Sequence, residues 1–243
     1  MDNPRRKFLI GSSALVTAGL ISPLASFAQK KTEPAKATEP ARKAEPSAKK
    51  EAEGDDDVST NEDLMREHGV LNRILLIYEE VNHRIGAKQE FDSALVTKSA
   101  GLIRTFIEDY HEKLEEDHLF PRFEQAHQLI ELTTNLRAQH AIGRILTERI
   151  QNSVKTKDTS ALSTAIAAFV RMYRPHEARE DTVLFPALHK VVSRHEYAAL
   201  GEEFDKIERK TFGGDGFDMA VDQVTDIEKK LGIYDIAQYT TMP

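Results

Sequence analysis

One pattern is used twice in this chain. Residues 110–121 read Tyr-His-Glu-Lys-Leu-Glu-Glu-Asp-His-Leu-Phe-Pro, and residues 175–186 read Pro-His-Glu-Ala-Arg-Glu-Asp-Thr-Val-Leu-Phe-Pro. Each copy holds His-Glu-x-x-Glu, then a second acidic residue (Glu116 or Asp181), and ends Leu-Phe-Pro. In a helix, residues i and i+4 differ by about 40° around the axis and about 6 Å along it. His111 with Glu115, and His176 with Glu180, can therefore point at one metal. Two such pairs, on two helices, would make a site.

The surrounding periodicity supplies the helices. From about Thr60, Leu64, His68, Leu71, Leu75 and Tyr78 recur at steps of four and three, with Ser59 or Thr60 as the N-cap and an end near Gly86. Asp92 or Ser93 caps a second helix with the inner stripe Leu95, Ile103, Ile107, His111, Leu114, Glu115 and His118. A third, from about Gln128, carries Leu129, Leu132, Leu136, His140, Gly143, Thr147, Ile150 and Val154. The fourth, after Asp158 or Thr159, reads Leu162, Ile166, Phe169, Tyr173, His176, Glu180, Val183 and Ala187. Four stripes with short connections predict an all-α, up-down-up-down four-helix bundle. Pro175 is positioned to bend the fourth helix.

The histidines fall at one height. His68 lies about 18 residues before the first turn and His111 about 19 after it, so in antiparallel helices both sit roughly 27 Å from that turn. His140 and His176 repeat the arithmetic around the turn near Lys157. A lone histidine on an apolar stripe is usually an ordinary interior residue bonded to backbone. Four at one level, with Glu115 and Glu180, would be costly to bury without a cation. The chain has no cysteine, which leaves imidazole and carboxylate as the strong ligands and points to iron, manganese or zinc. Its net charge of -7 argues against a nucleic-acid partner.

The ends read differently. Residues 1–28 combine Arg5-Arg6-Lys7 with a moderately apolar run and small residues at Ser26 and Ala28, the pattern of an export signal cleaved after Ala28. Pro4-Arg5-Arg6-Lys7-Phe8-Leu9 resembles the twin-arginine signal, which implies the twin-arginine export machinery as a partner and a periplasmic or otherwise exported location. The apolar run is short for a permanent membrane anchor, so the mature chain is expected to have no stable membrane span. Residues 29–58 are rich in Lys, Glu, Pro and Ala and read as a disordered tether. The bundle is expected over 59–192. A C-terminal extension, 193–243, carries an amphipathic helix (Tyr197, Leu200, Phe204, Ile207), a Gly213-Gly214-Asp215-Gly216 turn and a last helix to about Leu231 that pack over it.

The order His68, His111-x3-Glu115, His140, His176-x3-Glu180, with Leu-Phe-Pro after both motifs, resembles the hemerythrin-like HHE cation-binding family over about residues 60–192. The resemblance implies a duplicated two-helix unit around a di-iron centre that binds dioxygen or a related small ligand. Carried over by position, His68 and His111 hold one iron, His140 and His176 the other, and Glu115 and Glu180 bridge them. Oxygen-carrying hemerythrins have a His-x3-His pair in the third helix, whereas His140 is followed here by Arg144, which puts a reversible carrier role in doubt. They also have an Asp five residues after the fourth-helix His, a place held by Asp181; Glu180 lies on the stripe and is the preferred ligand, with Asp181 the alternative.

Tyr110, Tyr173 and Glu177 are candidates for orienting the imidazoles, although Tyr173 fits a plain core position and Glu112 and Glu177 fit a solvated face. Glu115-x-x-His118 also matches the Glu-x-x-His motif of ferritin-like proteins, but the second copy has Val183 in that place, leaving His118 as a core-facing or auxiliary residue. His83, His127, His189 and His195 read as surface residues. Three functions remain open at this point: a di-iron protein that senses, stores or scavenges a small ligand; a di-iron redox enzyme acting on oxygen, peroxide or nitric oxide; and a helical interaction module with an incidental zinc site.

Overall fold

The structure is a computed structural model and describes residues 58–240. The expected signal (1–28) and nearly all of the tether (29–57) lie outside the described residues, as do 241–243. Helix α1 is Thr60–Gly86, with the Ser59 side chain accepting from the Glu62 backbone N–H. Helix α2 covers 93–125, capped by Asp92. Helix α3 is Ile130–Thr156, and α4 covers 159–191, capped by Asp158. These pack as the bundle expected from the four stripes, with no strand among the described residues. None of the described helices is long and apolar enough to cross a membrane.

The third helix starts at Ile130, slightly later than its periodicity suggests, because His127 and Leu129 both adopt left-handed backbone in the turn before it. Pro175 sits within the α-helical stretch Thr159–Arg179, which continues through it.

Helices α2 and α4 depart from a plain α-helical repeat, and one departure recurs in both copies of the motif. In α2, Ile103–His111 and Glu115–Leu119 are π-helical; in α4, Glu180–Leu184 is. The Phe120 N–H reaches back five residues to the Glu115 carbonyl, and the Phe185 N–H to that of Glu180. Pro121 and Pro186 come immediately afterwards. A proline has no N–H to give and its ring crowds the carbonyl four residues earlier, so a widened turn just before it relieves both problems. Each Leu-Phe-Pro ending thus marks a π-turn.

The widened turns shift the phase of the inner stripe by one residue. Beyond Glu116 the buried residues are Leu119, Phe120 and Phe123 rather than His118, which is only half-buried. Beyond Glu180 they are Leu184, Phe185 and Leu188, whereas Val183 and Ala187, expected inside, are half-buried.

Helices α5 (Arg194–Phe212) and α6 (Gly216–Leu231) lie over the bundle. The Arg73 guanidinium on α1 donates to Glu228 (3.0 Å from Nε) and Thr225 (2.7 Å) on α6, and the Asn61 N–H donates to the Tyr197 hydroxyl on α5 at 2.9 Å. Phe212 closes the layer against Phe106 and Tyr110, with ring centroids 5.9 and 5.2 Å away. A Cβ on Gly216 would stand 2.3 Å from the Phe212 ring, so only glycine lets the chain pass there.

Below the histidine layer the core is aromatic. Phe169 is fully buried, edge-on to Tyr78 at 5.4 Å and 4.4 Å from the Tyr173 ring. Phe169→Ala should lower the unfolding free energy by about 3–5 kcal/mol, seen as a lower denaturant midpoint with little change in slope. A loss below about 1 kcal/mol would mean that this layer is not close-packed.

Candidate metal centre

The six side chains singled out by spacing converge on one layer of the bundle: His68 from α1, His111 and Glu115 from α2, His140 from α3, and His176 and Glu180 from α4. None is more than 3% exposed. The imidazoles meet in two pairs. His68 Nε2 is 3.0 Å from His111 Nε2, and His140 Nε2 is 3.2 Å from His176 Nε2. Glu115 lies between the pairs, one oxygen 3.8 Å from His111 Nε2 and the other 3.4 Å from His140 Nε2. Glu180 Oε2 is 3.0 Å from His176 Nε2 and 3.4 Å from His68 Nε2.

Each imidazole is held by its other nitrogen. His68 Nδ1 lies 2.8 Å from Asp181, His111 Nδ1 2.7 Å from Glu67, His140 Nδ1 3.1 Å from Glu116, and His176 Nδ1 3.0 Å from the Gln139 amide oxygen. All four partners are acceptors, so every Nδ1 donates. The Nε2 lone pairs of each pair are then turned toward each other, an arrangement that requires a proton or a cation between them. The four oxygens of Glu115 and Glu180 are buried with no hydrogen-bond partner. Nitrogens about 2.1 Å from one ion and at right angles lie about 3.0 Å apart, so the pair spacings fit a cation of the zinc or iron size. Glu115, His140, His176 and Glu180 form one group able to hold an ion, and His68, His111 and Glu115 another.

The electrostatics divide the site into groups that hold a proton more tightly than usual and groups that hold one less tightly. At His68 burial opposes the charged ring, but hydrogen bonds and charge from Asp181 and Glu180 outweigh it and push the group up to about 10. Burial lowers His140 to about 4 and also lowers His111. Burial and the neighbouring Glu180 charge hold the Glu115 carboxyl well above the usual range. Glu180 is also penalised by burial, yet His176 and His68 keep it well below. The two carboxyls at the centre of the layer are thus pushed in opposite directions, Glu115 up and Glu180 down.

The second layer repeats with the same internal symmetry. Glu112 and Glu177 are buried, not on a solvated face, because each is met by the residue four after the opposing histidine: Arg144 lies 2.8 Å from Glu112, and Asn72 donates to Glu177. Burial pushes both carboxyls up to about 8. Tyr110 donates to Glu67 at 3.0 Å, and Tyr173 to Glu112 at 2.7 Å, so both tyrosines hold the carboxylate layer in place. Arg144 also reaches Glu116 at 2.9 Å. Phe185 stacks on His68 at 5.4 Å and Phe120 on His140 at 5.6 Å, so each Leu-Phe-Pro phenylalanine covers a histidine of the other half.

Asp181, the alternative to Glu180, instead orients His68. The sequence reading missed Glu67, Gln139 and Glu116 as orienting groups. Their signal was positional: Glu67 and Gln139 each precede a histidine, and Glu116 and Asp181 each come directly after the motif glutamate. His118 points away from the cluster and packs edge-on to Phe204 at 5.6 Å. His83, His127, His189 and His195 are exposed.

With this geometry in place, the comparison with known families is decisive: residues 59–188 match the hemerythrin HHE cation-binding domain. The chain belongs to the hemerythrin HHE family. It is also 49% identical over 191 residues to uncharacterised proteins of Mycobacterium bovis and Mycobacterium tuberculosis, covering 75% of this chain and 74% of each relative. No solved structure matches. As an HHE domain the chain is a cation-binding protein, and its His/Glu cluster supplies groups suited to that role.

One glycine secures the second layer of this HHE domain. A Cβ on Gly143 would fall 2.0 Å from the Tyr173 hydroxyl and 2.8 Å from its ring carbon. Gly143→Ala should cost about 1–3 kcal/mol in chemical denaturation by overpacking. Adding Tyr173→Phe, which removes the closest atom, should recover part of that loss. Additive losses would contradict the contact.

Proposed function

We propose that this protein is a non-haem di-iron protein that binds dioxygen or a related small ligand outside the cytoplasm. One observation carries the metal part: four imidazoles, each fixed through Nδ1, aim Nε2 inward in two pairs around two carboxylates whose oxygens have no hydrogen-bond partner. His68 and His111 would hold one ion and His140 and His176 the other, with Glu115 and Glu180 placed to serve both. The exported location rests on the resemblance of Pro4-Arg5-Arg6-Lys7-Phe8-Leu9 to a twin-arginine signal.

Iron held there would supply a redox-active cation for chemistry with a small ligand. The protein's own part is preorganisation. Asp181, Glu67, Glu116 and Gln139 fix the tautomer and ring direction of each histidine. Phe120 and Phe185 cover His140 and His68 and keep bulk water from those rings. Imidazole and carboxylate donors, with no thiolate, suit iron and also admit manganese or zinc.

Metal analysis after expression in iron-supplemented medium should find near two irons per chain, with loss of iron in His111→Ala and His176→Ala. Absorption spectra should change on reduction and again on exposure to air. Reversible change without net oxygen consumption supports ligand binding; sustained consumption with a reductant would favour the redox-enzyme reading. A folded chain that takes up no metal would remove both.

Metal loading should also release protons. Without metal, His68 keeps its proton below about 10, and the Glu115 carboxyl holds its proton more tightly than a free carboxyl does. A cation displaces both, so affinity should climb from pH 6 to pH 8, and calorimetry in buffers of different ionisation enthalpy should show proton release. Equal affinity at the two pH values would contradict the assigned ligands.

A further inference from the structure

Each half of the site turns two imidazoles inward; Glu115 and Glu180 lie between them, both nearer the His140/His176 pair, and the halves differ further in what stands behind them. Glu67 and Gln139 occupy equivalent places, each directly before a histidine and each accepting from the Nδ1 of the histidine on the neighbouring helix. One is a carboxylate and the other an amide. The remaining two imidazoles are held by Asp181 and Glu116. Glu116 shares its charge with Arg144 at 2.9 Å and with Lys113. The His68/His111 pair is therefore backed by two carboxylates, and the His140/His176 pair by one carboxylate flanked by two cations and by a neutral amide.

A carboxylate behind an imidazole raises its basicity and strengthens its bond to a metal, and loss of such a group typically costs about 10–100-fold in metal affinity. We propose that the two cation positions are unequal, with the His68/His111 position filled first and held more tightly, and that Glu67 and Gln139 are the positioning residues that set the order. This inference rests on the two-ion reading above. It goes further in assigning a sequence of loading: a tightly held ion on the α1/α2 side and an exchangeable one on the α3/α4 side.

The test is titration of the metal-free full chain with Co2+ alone, monitored by calorimetry and visible absorption. The wild-type chain should bind in two steps separated by about 10-fold or more. His111→Ala should abolish the tight step, and His176→Ala the weak one. Glu67→Gln, which keeps the side-chain shape, should weaken the tight step by about 10–100-fold, while Gln139→Glu should tighten the weak step and narrow the gap. Circular dichroism confirms that each variant is folded, and Glu67→Gln alone suffices if Gln139→Glu is not.

Two ions bound with one affinity, or a tight step lost in His176→Ala instead of His111→Ala, would overturn the inference and leave the two-ion reading standing. A gap unchanged in Glu67→Gln would overturn the role given to Glu67 in the same way. Failure of any folded chain to bind Co2+ would remove the two-ion reading itself and this inference with it.

Discussion

The structure depends on an electrostatic conflict at the centre of the bundle. Four imidazoles donate outward through Nδ1, so their Nε2 lone pairs face one another across 3.0 and 3.2 Å, beside two carboxylates with no donor. In a dry interior such an array is unfavourable unless positive charge enters it. Protons on His68 and on the Glu115/Glu180 pair answer this in part. Divalent cations answer it more fully, because each can accept several lone pairs at once.

The rest of the fold serves that layer. Antiparallel helices bring the four histidines level, the π-turns re-aim the residues beyond each motif, and Phe120 and Phe185 swing over the imidazoles. The second layer ties each helix to its neighbours through the same polar groups: Tyr110 to Glu67, Tyr173 to Glu112, Arg144 to Glu112 and Glu116, Asn72 to Glu177. Helices α5 and α6 cover the flank of α1 and α2 from which two of the histidines come.

Much of this was legible from spacing. The heptad-like stripes fixed the number and direction of the helices, and the repeated His-x3-Glu fixed which groups meet. The phase after each motif was not legible, because a widened turn consumes one extra residue and moves Leu119 and Leu184 to where His118 and Val183 were expected. Nor was the burial of Glu112 and Glu177. A glutamate one position beyond a motif histidine reads as solvated until Arg144 and Asn72, on other helices, are seen to meet it. The identity of the groups behind each histidine also depends on contacts between helices, which periodicity within one helix does not encode.

The most direct measurement is anomalous diffraction at the iron edge from crystals of the iron-loaded chain. The account predicts two peaks within the histidine layer, one bonded to Nε2 of His68 and His111 and the other to Nε2 of His140 and His176, with Glu115 and Glu180 reaching both. A single peak elsewhere in the molecule, or imidazoles of this layer turned away from iron, would contradict it.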